Sequence, residues 1–227
     1  MTSAEYAALE GYMKSCASKD DPAHDAEHVY RVLFTSLHIA RTLDQEVDLD
    51  VLIASCLLHD IGRKRQMENP ALCHAAVGGE LAYAYLRDRG RPEEFAAHVR
   101  QCVQSHRFRG DNRPRTIEAK ILFDADKLDV SGVLGIARTL LYQGETGCPL
   151  YAAVDGGIDP GLEKTAPESF FREYHCKLSR LYDGFYTEEA KRIAHTRRRS
   201  AEKFYESLER EVLESRRFQD CLEGILR

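Results

Sequence analysis

The chain has 227 residues and a formal net charge of −5, with 43% hydrophobic and 30% charged residues. This composition provides enough apolar residues for a substantial core and argues against disorder. The acidic balance does not favour a protein that coats nucleic acid, and no apolar run approaches the roughly 18 residues that a membrane span needs. The N-terminal segment carries early acids and lacks an apolar signal core, so we expect a cytoplasmic protein without a membrane partner.

Apolar residues recur at helical spacing along most of the chain. The run LDVLIASCLL (49–58) is apolar on almost every face, which predicts a central buried helix. Further helices are predicted in AAVGGELAYAYLRDRG, which Gly90 ends, and then in EEFAAHVRQCVQSH, TIEAKILFDADKLD and SGVLGIARTLLYQG. The seven cysteines are scattered and form no CxxC pair, so we expect small core residues rather than a disulfide framework or a zinc site.

The segment from Gly144 to Pro167 lacks clean periodicity, and we expect a long loop with at most short turns, of the kind that serves as a lid or binding segment. Helices return in SFFREYHCKLSRLYDGFY and again after Thr187, a predicted N-cap. Arg197–Arg199 lie among glutamates, which is typical of a solvated helix face. With no convincing β run, the sequence predicts an all-α fold of roughly eight to nine helices. We expect one domain over 1–227, with helices at about 168–220 packing on the core.

The stretch CLLHDIGRK places His59 and Asp60 where the buried helix should stop. A buried carboxylate beside an imidazole is costly unless it is paired, and a divalent cation removes that cost by accepting neutral imidazole and ionised carboxylate together. The chain offers partners for such an ion. In HDAEHVYRVL, His24 and His28 are four apart and share a helix face, and FDADKLD supplies Asp124, Asp126 and Asp129.

His28 with the following Arg31, then His59–Asp60 and then Asp126, resembles the HD superfamily of metal-dependent phosphohydrolases. The segments DADKLDVSGVLGIARTL and ESFFREYHCKLSRL resemble its uncharacterised bacterial branch of predicted hydrolases, so the resemblance covers most of residues 20 to 215. It implies an HD-domain helical bundle and assigns four ligands of a divalent cation, His28, His59, Asp60 and Asp126. It also makes Asp60 the catalytic residue. The ion (Mn, Mg, Fe, Ni or Zn) stays open.

Other residues receive supporting or open roles. We expect Arg31 and Asp129 to support the site, and His24 to be a surface or capping group. In two-metal branches of the family, His74 and His106 would hold a second ion with Asp60 as the bridge. The alternatives are that they contact substrate phosphate or are polar groups at helix ends. Arginine suits phosphate oxygens, and the bases expected to contact phosphate are Arg63, Lys64, Arg109 and Lys127.

The resemblance implies a phosphohydrolase that cleaves a phosphate ester or anhydride of a nucleotide or similar small molecule by means of a cation-activated water. Arg63 and Lys64 replace the lysine of the HDIGK pattern, and His106 is single where the cyclic-dinucleotide phosphodiesterase branch has paired histidines, which argues against that substrate class. A di-iron oxygenase and a non-catalytic nucleotide-sensing module are the alternatives. The oligomeric state and the roles of His175 and Lys177 stay open.

Overall fold

The computed structural model describes residues 1–16, 25–107, 112–154 and 157–226, leaving aside the side chains of residues 219, 220 and 223. The chain divides into two compact units, Met1–Asp129 with Phe185–Ala190, and Val130–Gly184 with Lys191–Arg227. The all-α prediction is confirmed. Eight helices of ten or more residues lie in the described chain, and they dominate it. The arrangement as a single domain with its C-terminal helices on the core stays a prediction.

Seven helices build the first unit, and the central one is the predicted apolar helix α3. Its buried position is explained by its neighbours, because α3 packs against α1, α2, α5, α6 and α7 and therefore needs apolar side chains on every face. Asp48 caps its N-terminus by accepting a hydrogen bond from the Val51 N–H group. The helices are α1 (Ser3–Cys16), α2 (Ala26–Ala40), α3 (Leu49–Leu58), α4 (Arg63–Glu68), α5 (His74–Asp88), α6 (Glu93–Ser105) and α7 (Ile117–Asp129).

Two local features match the sequence expectations in this unit. Gly90 ends the helix before it with a φ of 74°, the left-handed conformation that glycine adopts without steric cost. Thr187 precedes the helix α10 (Glu188–Arg217), and its hydroxyl accepts from the Ala190 N–H group. The buried Asp124 carboxylate accepts hydrogen bonds from the backbone of Tyr186 and from the backbone and hydroxyl of Thr187. Asp124 therefore anchors Phe185–Ala190 to α7.

The second unit corrects two predictions. Strands β1 (Ala152–Val154) and β2 (Gly157–Asp159) form a two-stranded antiparallel sheet where a loop with at most turns was expected. Three-residue strands are too short to show an alternating pattern, which is why the sequence did not reveal them. The expected helix after Ser169 is divided at Lys177, whose φ of −132° interrupts the helical backbone. The other elements are α8 (Gly132–Glu145), α9 (Phe170–Cys176), a 3-10 helix (Leu178–Asp183), the greater part of α10, and α11 (Gln219–Ile225).

In the described chain, no helix combines the length and the apolar character that would carry it across a bilayer.

Candidate metal centre

Three elements of the first unit bring His28, His59, Asp60 and Asp126 together. His28 lies in the first turn of α2, where its N–H group donates to the N-cap Asp25, and Asp126 lies on α7. His59 and Asp60 follow directly on α3. The Nε2 atoms of His28 and His59 are 3.2 Å apart. Asp60 Oδ2 lies 3.5 Å and 3.6 Å from these two nitrogens, and Asp126 Oδ1 lies 3.4 Å and 3.9 Å from them.

Hydrogen bonds at the other ring nitrogen determine the tautomers of His28 and His59. The Nδ1 atom of His59 is 2.7 Å from the Cys56 carbonyl oxygen, which only accepts. The Nδ1 atom of His28 is likewise 2.7 Å from Asp129 Oδ2. Each Nδ1 therefore carries the hydrogen in the neutral ring, and each Nε2 presents a lone pair toward the other. Two facing lone pairs beside two carboxylates form a donor set that a cation satisfies.

Behind His28, Asp129 is itself held by a guanidinium group. Arg31 donates to Asp129 through Nε at 2.8 Å and through Nη2 at 3.1 Å, a forked pair that fixes the carboxylate plane. Asp129 is buried and touches His28 at Nδ1, on the side of the ring away from Asp60. Asp129 therefore contacts the same His28 ring whose other nitrogen faces Asp60.

A second group of donor atoms shares Asp60. His74 begins α5 and His106 follows α6. Their Nε2 atoms lie 3.4 Å and 3.7 Å from Asp60 Oδ1, the oxygen that does not face His28. Within the described chain, His28–His59–Asp60 and Asp60–His74–His106 are the sets of three or more ligand atoms that all lie within 4.8 Å of one another. Asp60 therefore joins two potential cation sites, one at each oxygen.

Two buried atoms of the second group lack hydrogen-bond partners. These are Asp60 Oδ1 and His74 Nε2, whose side chains are 7% and 2% exposed. The Nδ1 atom of His106 contacts the Val103 carbonyl at 2.6 Å and that of His74 contacts Gln66 Oε1 at 2.6 Å, so both Nε2 atoms face inward. Buried polar atoms without partners are costly, and a bound cation would satisfy both.

The environment shifts the pKa of several groups. Burial alone would raise the pKa of Asp60, but the Arg63 guanidinium and the neighbouring histidines hold it well below its usual range. Burial lowers the pKa of His74 to about 2, with help from Arg63, although Asp60 opposes the shift. Burial and then His59 lower the pKa of His106 to about 4. These three groups accordingly favour an ionised carboxylate and neutral imidazoles, the protonation states that bind metal.

The pKa of His28 shifts in the opposite direction from those of His74 and His106, because its carboxylate contacts outweigh its burial. Burial lowers the pKa of His28, but the hydrogen bonds with Asp129 and Asp60 raise it above the ordinary value. A divalent ion would replace the proton that these carboxylates favour. The donor set of imidazole nitrogens and carboxylate oxygens fits Mn, Mg, Fe, Ni or Zn.

The residues that were predicted to contact phosphate lie in different environments. Arg63 Nε donates to Asp60 Oδ2 at 2.6 Å, whereas Lys64 is exposed on α4. Lys127 Nζ lies 5.1 Å and 5.4 Å from the ring centres of Phe123 and Phe185, within cation–π range. Arg109 and His24 lie outside the described residues.

Two further side chains lie beside His74 at this centre. Gln66 contacts His74 as described, and Arg107 Nη1 is 3.3 Å from His74 Nδ1. Gln66 lies in the short helix α4, which no sequence pattern predicted, so nothing indicated that it would face His74. Arg107 follows His106 directly in SHRFRGDNRPR, a basic stretch whose arginines suit phosphate oxygens.

Close backbone packing positions the segment after Asp60. A Cβ atom at Gly62 would lie 2.2 Å from the His74 carbonyl oxygen and 2.7 Å from the Gly78 nitrogen. Glycine is therefore required where the chain passes α5.

A solvent-open space of about 290 Å³ adjoins Asp60, and its lining includes Met13, Val29 and Ile61.

Part of the chain matches a known protein family. Residues 25–131 match the HD domain family. The chain contains an HD domain. This range includes both groups of donor atoms, and the predicted resemblance to the HD superfamily is confirmed.

Relatives of the HD-domain chain cover most of its length. YpgQ, an uncharacterized protein of Bacillus subtilis, is 28% identical over 208 residues, which are 90% of this chain and 92% of YpgQ. A crystal structure of YpgQ in complex with ADP superposes with a TM-score of 0.71 at 25% identity, covering 91% of this chain and 97% of that one. A predicted HD superfamily hydrolase from an uncultured Thermotogales bacterium is 27% identical, with a TM-score of 0.61 and coverages of 90% and 91%.

Proposed function

We propose that this protein is a cytoplasmic metal-dependent phosphohydrolase that cleaves a phosphate ester or anhydride of a nucleotide or similar small molecule. The observation that carries the proposal is the 3.2 Å approach of two imidazole Nε2 atoms, each with its hydrogen on Nδ1, beside Asp60 and Asp126. Such an arrangement leaves lone pairs and negative charge that a divalent cation would neutralise.

His28, His59, Asp60 and Asp126 would hold the first ion, and the unpartnered atoms Asp60 Oδ1 and His74 Nε2 support a second ion near His106. When bound, a divalent cation lowers the pKa of a coordinated water and offsets charge on phosphate oxygens. The histidines keep their protons on Nδ1, so each Nε2 stays available as a ligand.

Nearby bases would orient the phosphate group. Arg63 is already within hydrogen-bond distance of Asp60, so its guanidinium lies close to where a phosphate beside the cation would approach. The position of Lys127 over two aromatic rings holds a second positive charge one residue from Asp126. The nucleotide part of the proposal is supported by the ADP bound to YpgQ.

A turnover assay with a matched variant tests the function. We expect purified protein with Mn²⁺ to release phosphate or pyrophosphate from at least one member of a nucleotide panel. Asp60→Asn should lower that turnover at least about 1,000-fold, because the variant removes the charge that both groups of ligands share. Asp44→Asn, at an exposed position, is the control. Circular dichroism checks that the variants fold. Absence of turnover with every nucleotide, despite bound metal, would favour the non-catalytic sensing module.

The sharing of Asp60 between two groups also favours a second candidate, a di-iron oxygenase. Measuring metal content separates the two functions. A protein that retains two iron ions with the EPR signal of a coupled pair, and that lacks phosphatase activity with Mn²⁺, would support the oxygenase.

A further inference from the structure

The two groups of donor atoms differ in charge although they share Asp60. The first group includes Asp126 as a second carboxylate, and Asp129 lies behind its His28. The second group consists of His74, His106 and the remaining oxygen of Asp60, and in the described chain it includes no other carboxylate. A cation at the second group would therefore have two neutral imidazoles and one shared carboxylate as ligands, with the charge of Asp126 acting on His106 from outside that set.

Two guanidinium groups lie close to the second group. Arg63 donates to Asp60 Oδ2 at 2.6 Å, and Arg107 Nη1 is 3.3 Å from His74 Nδ1. Their positive charges oppose a dication that approaches Asp60 and His74, so the one shared carboxylate attracts that dication only weakly. By Coulomb's law, an ion already held at the first group would further repel an ion at the second. The second group is thus a weak site for a cation by itself.

Phosphate oxygens would supply what the second group lacks. They are anionic oxygen ligands of the kind that Mn²⁺ and Mg²⁺ accept readily, and arginine binds them through charge-assisted hydrogen bonds. A phosphate between the ions would compensate their charge and would use the same guanidinium groups that weaken the empty site. The unpartnered and buried Asp60 Oδ1 and His74 Nε2 would then coordinate the cation.

We infer that the group Asp60–His74–His106 takes its divalent cation together with the phosphate groups of the substrate and not before. The inference rests on the proposed function, because the phosphate must approach an ion at the first group. His74 and His106 then select molecules with phosphate groups, since a neutral substrate does not supply the negative charge that the second group lacks.

A manganese titration of the metal-free, full-length protein tests the inference. Free Mn²⁺ is counted by EPR with and without methylenediphosphonate, an analogue of pyrophosphate whose P–C–P bridge resists hydrolysis. We expect one Mn²⁺ per chain without the analogue and two with it, the second binding at least ten-fold more tightly than in its absence. The EPR signal of two coupled Mn²⁺ ions should appear only with the analogue.

Variants of the second group provide the controls. His106→Ala should bind one Mn²⁺ in both conditions, which also corrects for Mn²⁺ held by the analogue itself. His74→Gln is the second variant if His106→Ala does not fold by circular dichroism. Arg107→Gln should tighten the second Mn²⁺ in the absence of the analogue. Two equally tight Mn²⁺ ions without the analogue would overturn the inference, as would one ion in both conditions. No bound Mn²⁺ in either condition, with no turnover, would remove the proposed function itself.

Discussion

The two groups that meet at Asp60 are supported by different kinds of side chain. His28 in the first group donates to Asp129, a carboxylate that Arg31 holds by two hydrogen bonds. His74 in the second group contacts the neutral amide of Gln66, with the cation of Arg107 near the same nitrogen. A carboxylate raises the basicity of the imidazole that donates to it, and an amide does so much less. We therefore expect a stronger cation site at His28 and a weaker one at His74, on opposite oxygens of one carboxylate.

Removing the carboxylate behind His28 should have the largest effect on this asymmetry. Asp129→Asn is expected to weaken Mn²⁺ binding at the first group by about 10–100-fold, because the amide polarises the imidazole less and loses the ionic pair with Arg31. Mn²⁺ titration measures the affinity, and Asp44→Asn is the matched change at an exposed carboxylate. Unchanged affinity would mean that Asp129 serves the Arg31 pair alone.

A substitution at Gly62 should disturb packing at the second group and leave Mn²⁺ binding at the first group intact. Gly62→Ala is expected to lower the free energy of unfolding by about 1–3 kcal/mol, because its Cβ would meet backbone atoms of His74 and Gly78 that cannot move independently. Urea unfolding measures the change. We also expect the phosphate-dependent second Mn²⁺ to be lost while the first remains, since the strain falls on α5.

The matched control for this change is Gly11→Ala in α1, where an added Cβ would have no neighbour within 4 Å. Alanine is the better helix former, so we expect this variant to be more stable by up to about 1 kcal/mol. A destabilisation of equal size at both positions would show that the close approach at Gly62 is not the cause.

The smallest effect is expected at Gln66. Gln66→Leu removes the acceptor for His74 Nδ1 and should weaken the second Mn²⁺ less than about ten-fold, with the first unaffected, because a neutral amide contributes little polarisation. Gln66→Glu is the complementary variant. It should tighten the second Mn²⁺ even without a phosphate analogue, and a loss of the first Mn²⁺ in either variant would contradict the assignment of Gln66 to the second group.

Much of the helical framework could be predicted from periodicity, as α3 illustrates. Its residues are apolar on every face, and the structure surrounds it on every side. The short elements could not be predicted, because α4 and the strands β1 and β2 span too few residues to show a period. The sequence also could not show which of the neighbouring basic residues would contact the site. Arg63 and Lys64 are adjacent in sequence, yet Arg63 pairs with Asp60 and Lys64 is exposed.

The sequence by itself determined the helical class, the buried α3 and the order of the histidines and aspartates that marks an HD domain. The tertiary structure decided how these residues divide, with His28 and His59 at one oxygen of Asp60, Asp126 beside that pair of histidines, and His74 and His106 at the other oxygen. It also decided which side chains stand behind them. The physical reason is that helix propensity and apolar periodicity are local, whereas hydrogen bonds between α2 and α7, or between α4 and α5, depend on packing between distant segments.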